Sequence, residues 1–116
     1  MPILNLLVLR VTSVDAAEGF YTALGLSFVH EQHEAGPRHL SCMAGETLLE
    51  LYPTEDGLTT QSTRLGFNVL SLDTAVDAVV KAGGTLISKP KQGTWGRRAV
   101  VSDPDGHKVE LLERGL

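Results

Sequence analysis

Two carboxylates are placed where chemistry can happen. Glu110 lies in Val109-Glu110-Leu111-Leu112, and Glu50 in Leu49-Glu50-Leu51, each a lone acid inside an apolar run. On a strand, alternation sends such an acid to a covered face, where an isolated charge is costly without a partner. The partner is a metal, a substrate proton or a guanidinium, and each implies different chemistry. Arg64, Gly66 and Asn68 share one strand face, and Lys108, Glu110 and Leu112 share another, so Arg64 is a candidate partner for Glu110 and also for Glu50. Tyr52 shares a face with Glu50. Trp95, beside Gly96, Arg97 and Arg98, offers an aromatic surface for stacking and a cation for an anionic group; packing inside the protein is the other use of a tryptophan.

Other reactive residues carry less. His30, His33 and His39 gather near a turn with Glu31 and Glu34. Positions 30 and 33 face opposite ways on a strand, so the expectation is a solvated hairpin tip and not a chelate. Cys42 reads as a small buried hydrophobe without an activating base. Gly83-Gly84 follows a helical pattern and is a helix stop, not a phosphate cradle. No Ser-His-Asp pattern is recognisable.

Strands are needed to hold these acids, and the chain supplies them twice. Ile3 to Val11 is nearly all aliphatic and reads as a strand covered on both faces. Ser13 caps a helix carrying Val14, Ala17, Phe20, Tyr21 and Leu24, and Gly25 stops it. Strands follow at Leu26 to Gln32, Arg38 to Met43 and Thr47 to Tyr52, and Pro53 to Ser62 is a linker. The pattern then restarts. Arg64 to Leu70 is a strand, and Ser71 or Asp73 caps a helix with Leu72, Val76, Val79 and Val80 on one face. Thr85 to Ser88 is a strand, Lys89 to Thr94 a loop, and Trp95 to Ser102 with His107 to Glu113 a hairpin closed by Asp103-Pro104-Asp105-Gly106.

Identical residues mark a duplication. Val11 and Val69, Ser13 and Ser71, Asp15 and Asp73, Ala17 and Ala75, and Gly25 and Gly83 all differ by 58 (69 − 11). Glu50 and Glu110 differ by 60 (110 − 50), two extra residues having entered the second half's loops. The fold class is therefore α+β, one domain over 1–116 built from two βαβββ modules at about 1–53 and 63–116.

Composition narrows the partners. The chain has 116 residues, 42% hydrophobic and 21% charged, which is globular composition. A net charge of −4 disfavours nucleic acid and anionic membrane and leans toward cationic ligands. No apolar run nears the roughly 18 residues of a membrane span. The start, Met1-Pro2-Ile3, has no basic leader, and a single cysteine fits a reducing compartment, so the expected location is cytoplasmic.

The paired modules, Phe20-Tyr21-Thr22-Ala23-Leu24-Gly25-Leu26 after the first strand, and Asp103-Pro-Asp-Gly-His-Lys-Val-Glu110-Leu resemble the vicinal oxygen chelate superfamily. It includes glyoxalase I, extradiol dioxygenases and bleomycin-resistance proteins. The resemblance implies mixed sheets curving round a cavity, a homodimer, and a metal held by one residue of the first strand and one of the fourth in each module. The fourth-strand positions are Glu50 and Glu110. The first-strand positions are Leu6 and Arg64, which have no lone pair for a metal. Two carboxylates alone are a poor cage for zinc, nickel or iron. The expectation is a small-molecule-binding protein of the bleomycin-resistance type with no cofactor, in which Arg64 neutralises the acids and Leu6, Tyr52, Asn68, Trp95 and Arg98 line the ligand site. The alternative is a glyoxalase-like lyase or isomerase with Glu110 or Glu50 as general base and Arg64 or a divalent metal as electrophile. An extradiol dioxygenase needs two histidines that these positions lack.

Overall fold

Helix caps show how closely the two halves repeat. The computed structural model describes residues 1–113, so the last three residues of the second module lie outside it. Ser13 (φ −128, ψ 113) and Ser71 (φ −130, ψ 112) adopt the same extended cap. Each hydroxyl accepts a backbone N–H three residues on, from Ala16 at 3.1 Å and Thr74 at 3.4 Å. Gly25 and Gly83 both take positive φ after the helix, where a side chain would be strained.

The elements are β1 (Leu6–Val11), α1 (Val14–Leu24), β2 (Val29–Glu31), β3 (His39–Ala44), β4 (Thr47–Pro53), β5 (Arg64–Val69), α2 (Leu72–Lys81), β6 (Thr85–Gly93), β7 (Gly96–Ser102) and β8 (Lys108–Glu113). They form two mixed sheets of the same order, β1-β4-β3-β2 and β5-β8-β7-β6. In each, the module's first strand lies at a sheet edge and runs parallel to its last strand, and the other neighbours pair antiparallel. The sheets are not closed on each other. The α+β class and the duplicated topology are thus present.

Strand parity divides each sheet into a packed and an open face. Leu9, Val11, Leu40, Leu49, Leu51, Leu65, Ala99, Val101, Val109 and Leu111 point inward with Phe20, Tyr21, Leu72 and Val79 of the helices, in one shared core. The open faces carry the residues singled out above. In register, Val8 sits opposite Glu50, and Gly66 sits opposite Glu110.

The Asp103–Gly106 turn ties the modules together. Asp103 Oδ1 accepts the backbone N–H of Asp105, Gly106 and His107 at 3.0, 3.1 and 3.0 Å. Tyr21 of α1 donates its hydroxyl to Asp103 Oδ2 at 2.7 Å. The His107 ring bonds Asp103 through Nδ1 at 3.0 Å and lies 2.7 Å from Thr60 Oγ1 through Nε2. Asp103 and His107 are buried, at 3% and 0% exposure. Burial pushes the Asp103 carboxyl up, but hydrogen bonds from His107 and Tyr21 outweigh it and hold the group below its ordinary value. Burial, then the Asp103 charge, pushes the Tyr21 phenol far above its usual range.

Four local expectations are corrected. The first strand begins at Leu6 and is covered on one face only, with Ile3, Leu4 and Leu6 at 64, 67 and 46% exposure. Leu26 and Phe28 pack on the core as irregular chain, leaving β2 only three residues. Lys89 to Gly93 is strand, not loop: β6 runs to Gly93, with register shifts on either side of Ser88 and a Thr94-Trp95 turn. Pro90 is tolerated because β6 is an edge strand, where a missing N–H costs little. Trp95 therefore sits in the turn and not on the strand.

Candidate functional site

The second sheet builds a charged cleft. Its floor is the open face of β5, β8 and β7, and its rim is the β6–β7 hairpin. Arg98 pairs with Leu112 in the β7–β8 ladder, which sets its side chain beside Glu110. Arg64 Nε donates to Glu110 Oε2 at 3.0 Å, and Arg98 Nη1 donates to Glu110 Oε1 at 2.9 Å. Each oxygen of one carboxylate thus accepts from a different guanidinium. Gly66, opposite Glu110, leaves the floor open; a Cβ there would come no closer than 4.0 Å to Glu110.

The cleft encloses about 570 Å³, lined by Gly66, Phe67, Asn68, Glu110, Leu112, Arg98 and the hairpin from Lys91 to Gly96. Trp95 is 77% exposed, so it is a wall of the cleft and not a packing residue. The lining holds Lys91 and Arg98 against one acid, and Arg64 adds a third cation at that acid. The site is locally positive although the chain is net negative. Net charge is a poor guide to one cleft, because local charges dominate the field there.

The expected site residues fall into two groups. Glu110, Arg64, Arg98, Trp95 and Asn68 meet on the second sheet. Glu50, Leu6 and Tyr52 lie on the open face of the first, and none of them lines that cleft. The expected reach of Arg64 to Glu50 is absent: among the described residues Glu50 forms no ion pair, since it stands on the other, separate sheet. A second cavity of about 600 Å³ opens between Leu4, Leu7 and Leu26 of the first module and Arg64, Gly66 and Asn68 of the second. Three of the four positions at which the resemblance implies metal ligands do not fit that role, and Glu50 alone is too few donors to hold an ion. Leu6 has no donor atom, Arg64 is a cation, and Glu110 is engaged by two guanidiniums. Cys42 is buried at 5% exposure, and burial pushes its thiol up, as for an unreactive packing residue.

Sequence reasoning missed two features. Arg98 was expected to face a ligand, but its bond to Glu110 depends on the β7–β8 register. His30 and His33 are exposed as a solvated tip requires, and His39 departs from it. His39 is 3% exposed and stacks on Tyr52, with ring centroids 4.2 Å apart and planes 7° from parallel. On the other flank of Tyr52, the Arg10 guanidinium lies 4.9 Å from the ring centroid. The pairing of Glu31 with His39 produces this burial, and a seven-residue connection leaves that register unreadable in the sequence.

The comparisons agree with this architecture. Residues 3–111 match the family model described as Glyoxalase/Bleomycin resistance protein/Dioxygenase superfamily. Comparison with curated proteins gives no match. Among solved structures, the chain is similar to a glyoxalase-related enzyme from Fulvimarina pelagi (TM-score 0.80, 21% identity, covering 98% of this chain and 89% of that one). It is similar to TnmS3, an antibiotic binding protein from Streptomyces sp. CB03234 (TM-score 0.78, 24% identity, 99% and 98% covered). It is also similar to a glyoxalase/bleomycin resistance protein from the same Streptomyces (TM-score 0.72, 25% identity, 95% and 99% covered). The first two likenesses are of fold. With the duplicated sheets and the family model spanning nearly its whole length, the chain belongs to the glyoxalase/bleomycin resistance protein/dioxygenase superfamily.

Proposed function

We propose that this protein binds a small molecule in the manner of a bleomycin-resistance protein, without a metal at Glu50 and Glu110. Its ligand carries an anionic group on a flat apolar body. The observation that carries this reading is the cleft itself, which sets an exposed Trp95 in the wall around the Arg64–Glu110–Arg98 array. A surface ion pair stabilises a fold by only about 0–1 kcal/mol, so this array is better explained by what it presents than by stability. Glu110 fixes two guanidiniums, that of Arg98 in the lining of the cleft and that of Arg64 beside it, and a guanidinium keeps further N–H donors for a carboxylate or phosphate. Antibiotic binding by a neighbour of the same fold fits this reading. So does a second copy that brings its first sheet, with Leu6, Tyr52 and Glu50, over the open cleft. A cytoplasmic location belongs to the same reading, with Cys42 a free thiol.

Trp95 is the sole tryptophan, so its fluorescence reports on the site directly. Aromatic carboxylates and phosphates are expected to quench it saturably and to raise Tm, and the matching neutral amides are expected to do so less. Arg98→Ala should weaken the anionic probes at least tenfold, while Glu110→Gln should alter stability by about 0–1 kcal/mol. Equal response to charged and neutral probes, or no response to either across an antibiotic panel, would sink the reading.

A lyase or isomerase reading has one observation in its favour. Glu50 is half-buried and, among the described residues, held by no guanidinium, so its oxygens are open to a substrate proton. Hemithioacetal turnover abolished by Glu50→Gln would support it.

A further inference from the structure

A separate cluster lies on the first sheet, away from the charged cleft. The β2–β3 ladder pairs Glu31 with His39, so both side chains leave the sheet on the open face. The connecting chain folds back: Gly36 N–H donates to His33 C=O at 2.9 Å, and Gln32 Nε2 donates to Gly36 C=O at 2.9 Å. This return lays the exposed His33 ring over His39, with centroids 5.2 Å apart. Glu31, His33 and His39 each offer a donor atom, all within 4.8 Å of one another.

The His39 ring has a fixed job at one nitrogen only. Nδ1 lies 3.2 Å from the Pro37 carbonyl oxygen. A carbonyl cannot donate, so in the neutral ring Nδ1 carries the proton and Nε2 carries the lone pair. Nε2 lies 3.8 Å from Glu31 Oε1, beyond hydrogen-bond range. His39 is buried and Glu31 keeps 34% of its side chain exposed, and two acceptors this close repel each other unless a proton, a water or a cation lies between them. Glu31 is also oriented, since Ser41 donates its hydroxyl to Oε1 at 2.6 Å. A backbone carbonyl fixing one ring nitrogen and a hydroxyl fixing the carboxylate are the supports that metal ligands usually have.

We propose that Glu31, His33 and His39 form a site for a borderline divalent cation such as zinc, cobalt or nickel. The donor set is two imidazoles and a carboxylate, with a fourth position left for water or a ligand atom. Tetrahedral ligands at about 2.0–2.1 Å from an ion stand about 3.3–3.4 Å apart, so a small inward movement of the exposed His33 closes the set. The site is distinct from the Glu50 and Glu110 positions that the family resemblance singles out.

The test is titration of metal-stripped protein with zinc by calorimetry and with cobalt by visible absorption. One ion per chain and the intense bands of four-coordinate cobalt are expected. His33→Ala removes an exposed ring and Glu31→Gln retains an acceptor for Ser41, so both variants should fold. Each should weaken zinc at least tenfold with unchanged circular dichroism, while Glu50→Gln and Glu110→Gln leave affinity unaltered. Absence of zinc binding would identify the cluster as a buried histidine–carboxylate ion pair and overturn the proposal. Binding that survives both His33→Ala and Glu31→Gln, or that fails in Glu50→Gln or Glu110→Gln, would overturn it as well.

Discussion

Asp103 and Glu110 show how one residue type serves two purposes. Both are carboxylates near the same hairpin, yet Asp103 is buried and saturated with donors, whereas Glu110 keeps 32% of its side chain exposed between two guanidiniums. Asp103 therefore belongs to stability. Its folded carboxyl lies below the ordinary value, so the ionised form stabilises the fold. That contribution is fully present above the unfolded carboxyl value of about 4, and it is lost as pH falls through the lower folded value. Asp103→Asn should cost about 1.5–3 kcal/mol at neutral pH, because His107 and Tyr21 lose a charged hydrogen-bond partner in a buried place. Urea midpoints at about pH 7 and about pH 3 should show the gap between wild type and variant narrowing on the acid side. A gap independent of pH would mean that shape, not charge, is what Asp103 supplies.

At the scale of elements, the helices dictate how closely the modules approach. In each module the acid in the helix's first turn reaches an arginine at the start of the third strand or just before it: Asp15 bonds Arg38 at 2.8 Å, and Asp73 bonds Arg97 at 3.3 Å. These repeat partners are exposed and contribute little. Tight packing decides more. Behind α2, Gly84 passes so near α1 that a Cβ would lie 2.6 Å from Phe20 Cε2 and 2.9 Å from Val79 O. Gly84→Ala should destabilise by about 1–3 kcal/mol, since the backbone oxygen cannot yield as a ring can. Gly66→Ala is the contrast, with ordinary space around its Cβ, and thermal melts of the two should separate clearly. An unchanged melt for Gly84→Ala would show that the α1–α2 contact is slack.

The whole molecule leaves two sheets with open faces, and the open face of the first bears Leu6 and Met43 at 46 and 60% exposure. Exposed apolar side chains on one face are what a second copy would cover. A two-fold dimer in which each first sheet covers the partner's cleft would bury them and complete two sites. Light scattering at micromolar concentration should give twice the chain mass, and Met43→Glu should halve it without altering circular dichroism. A wild-type monomer would refute the arrangement. The described residues include no helix long and apolar enough to cross a membrane.

The duplication, the caps at Ser13 and Ser71, the Asp-Pro-Asp-Gly turn and the exceptional positions of Glu50 and Glu110 were legible in the sequence. These depend on local periodicity, cap chemistry and a constant offset, all of which act within a few residues of the chain. Arg64 meeting Glu110 was legible too, because parallel register follows once the repeat is aligned. What only tertiary structure decided are contacts set across strands or loops of free length. Arg98 reaches the second oxygen of Glu110, Glu31 and His39 pair beneath a folded-back turn, and Trp95 stands at a cleft rim because β6 continues through Pro90. Side-chain parity gives a residue its face, but a register shift of one residue reverses it, and nothing local fixes register across a long connection.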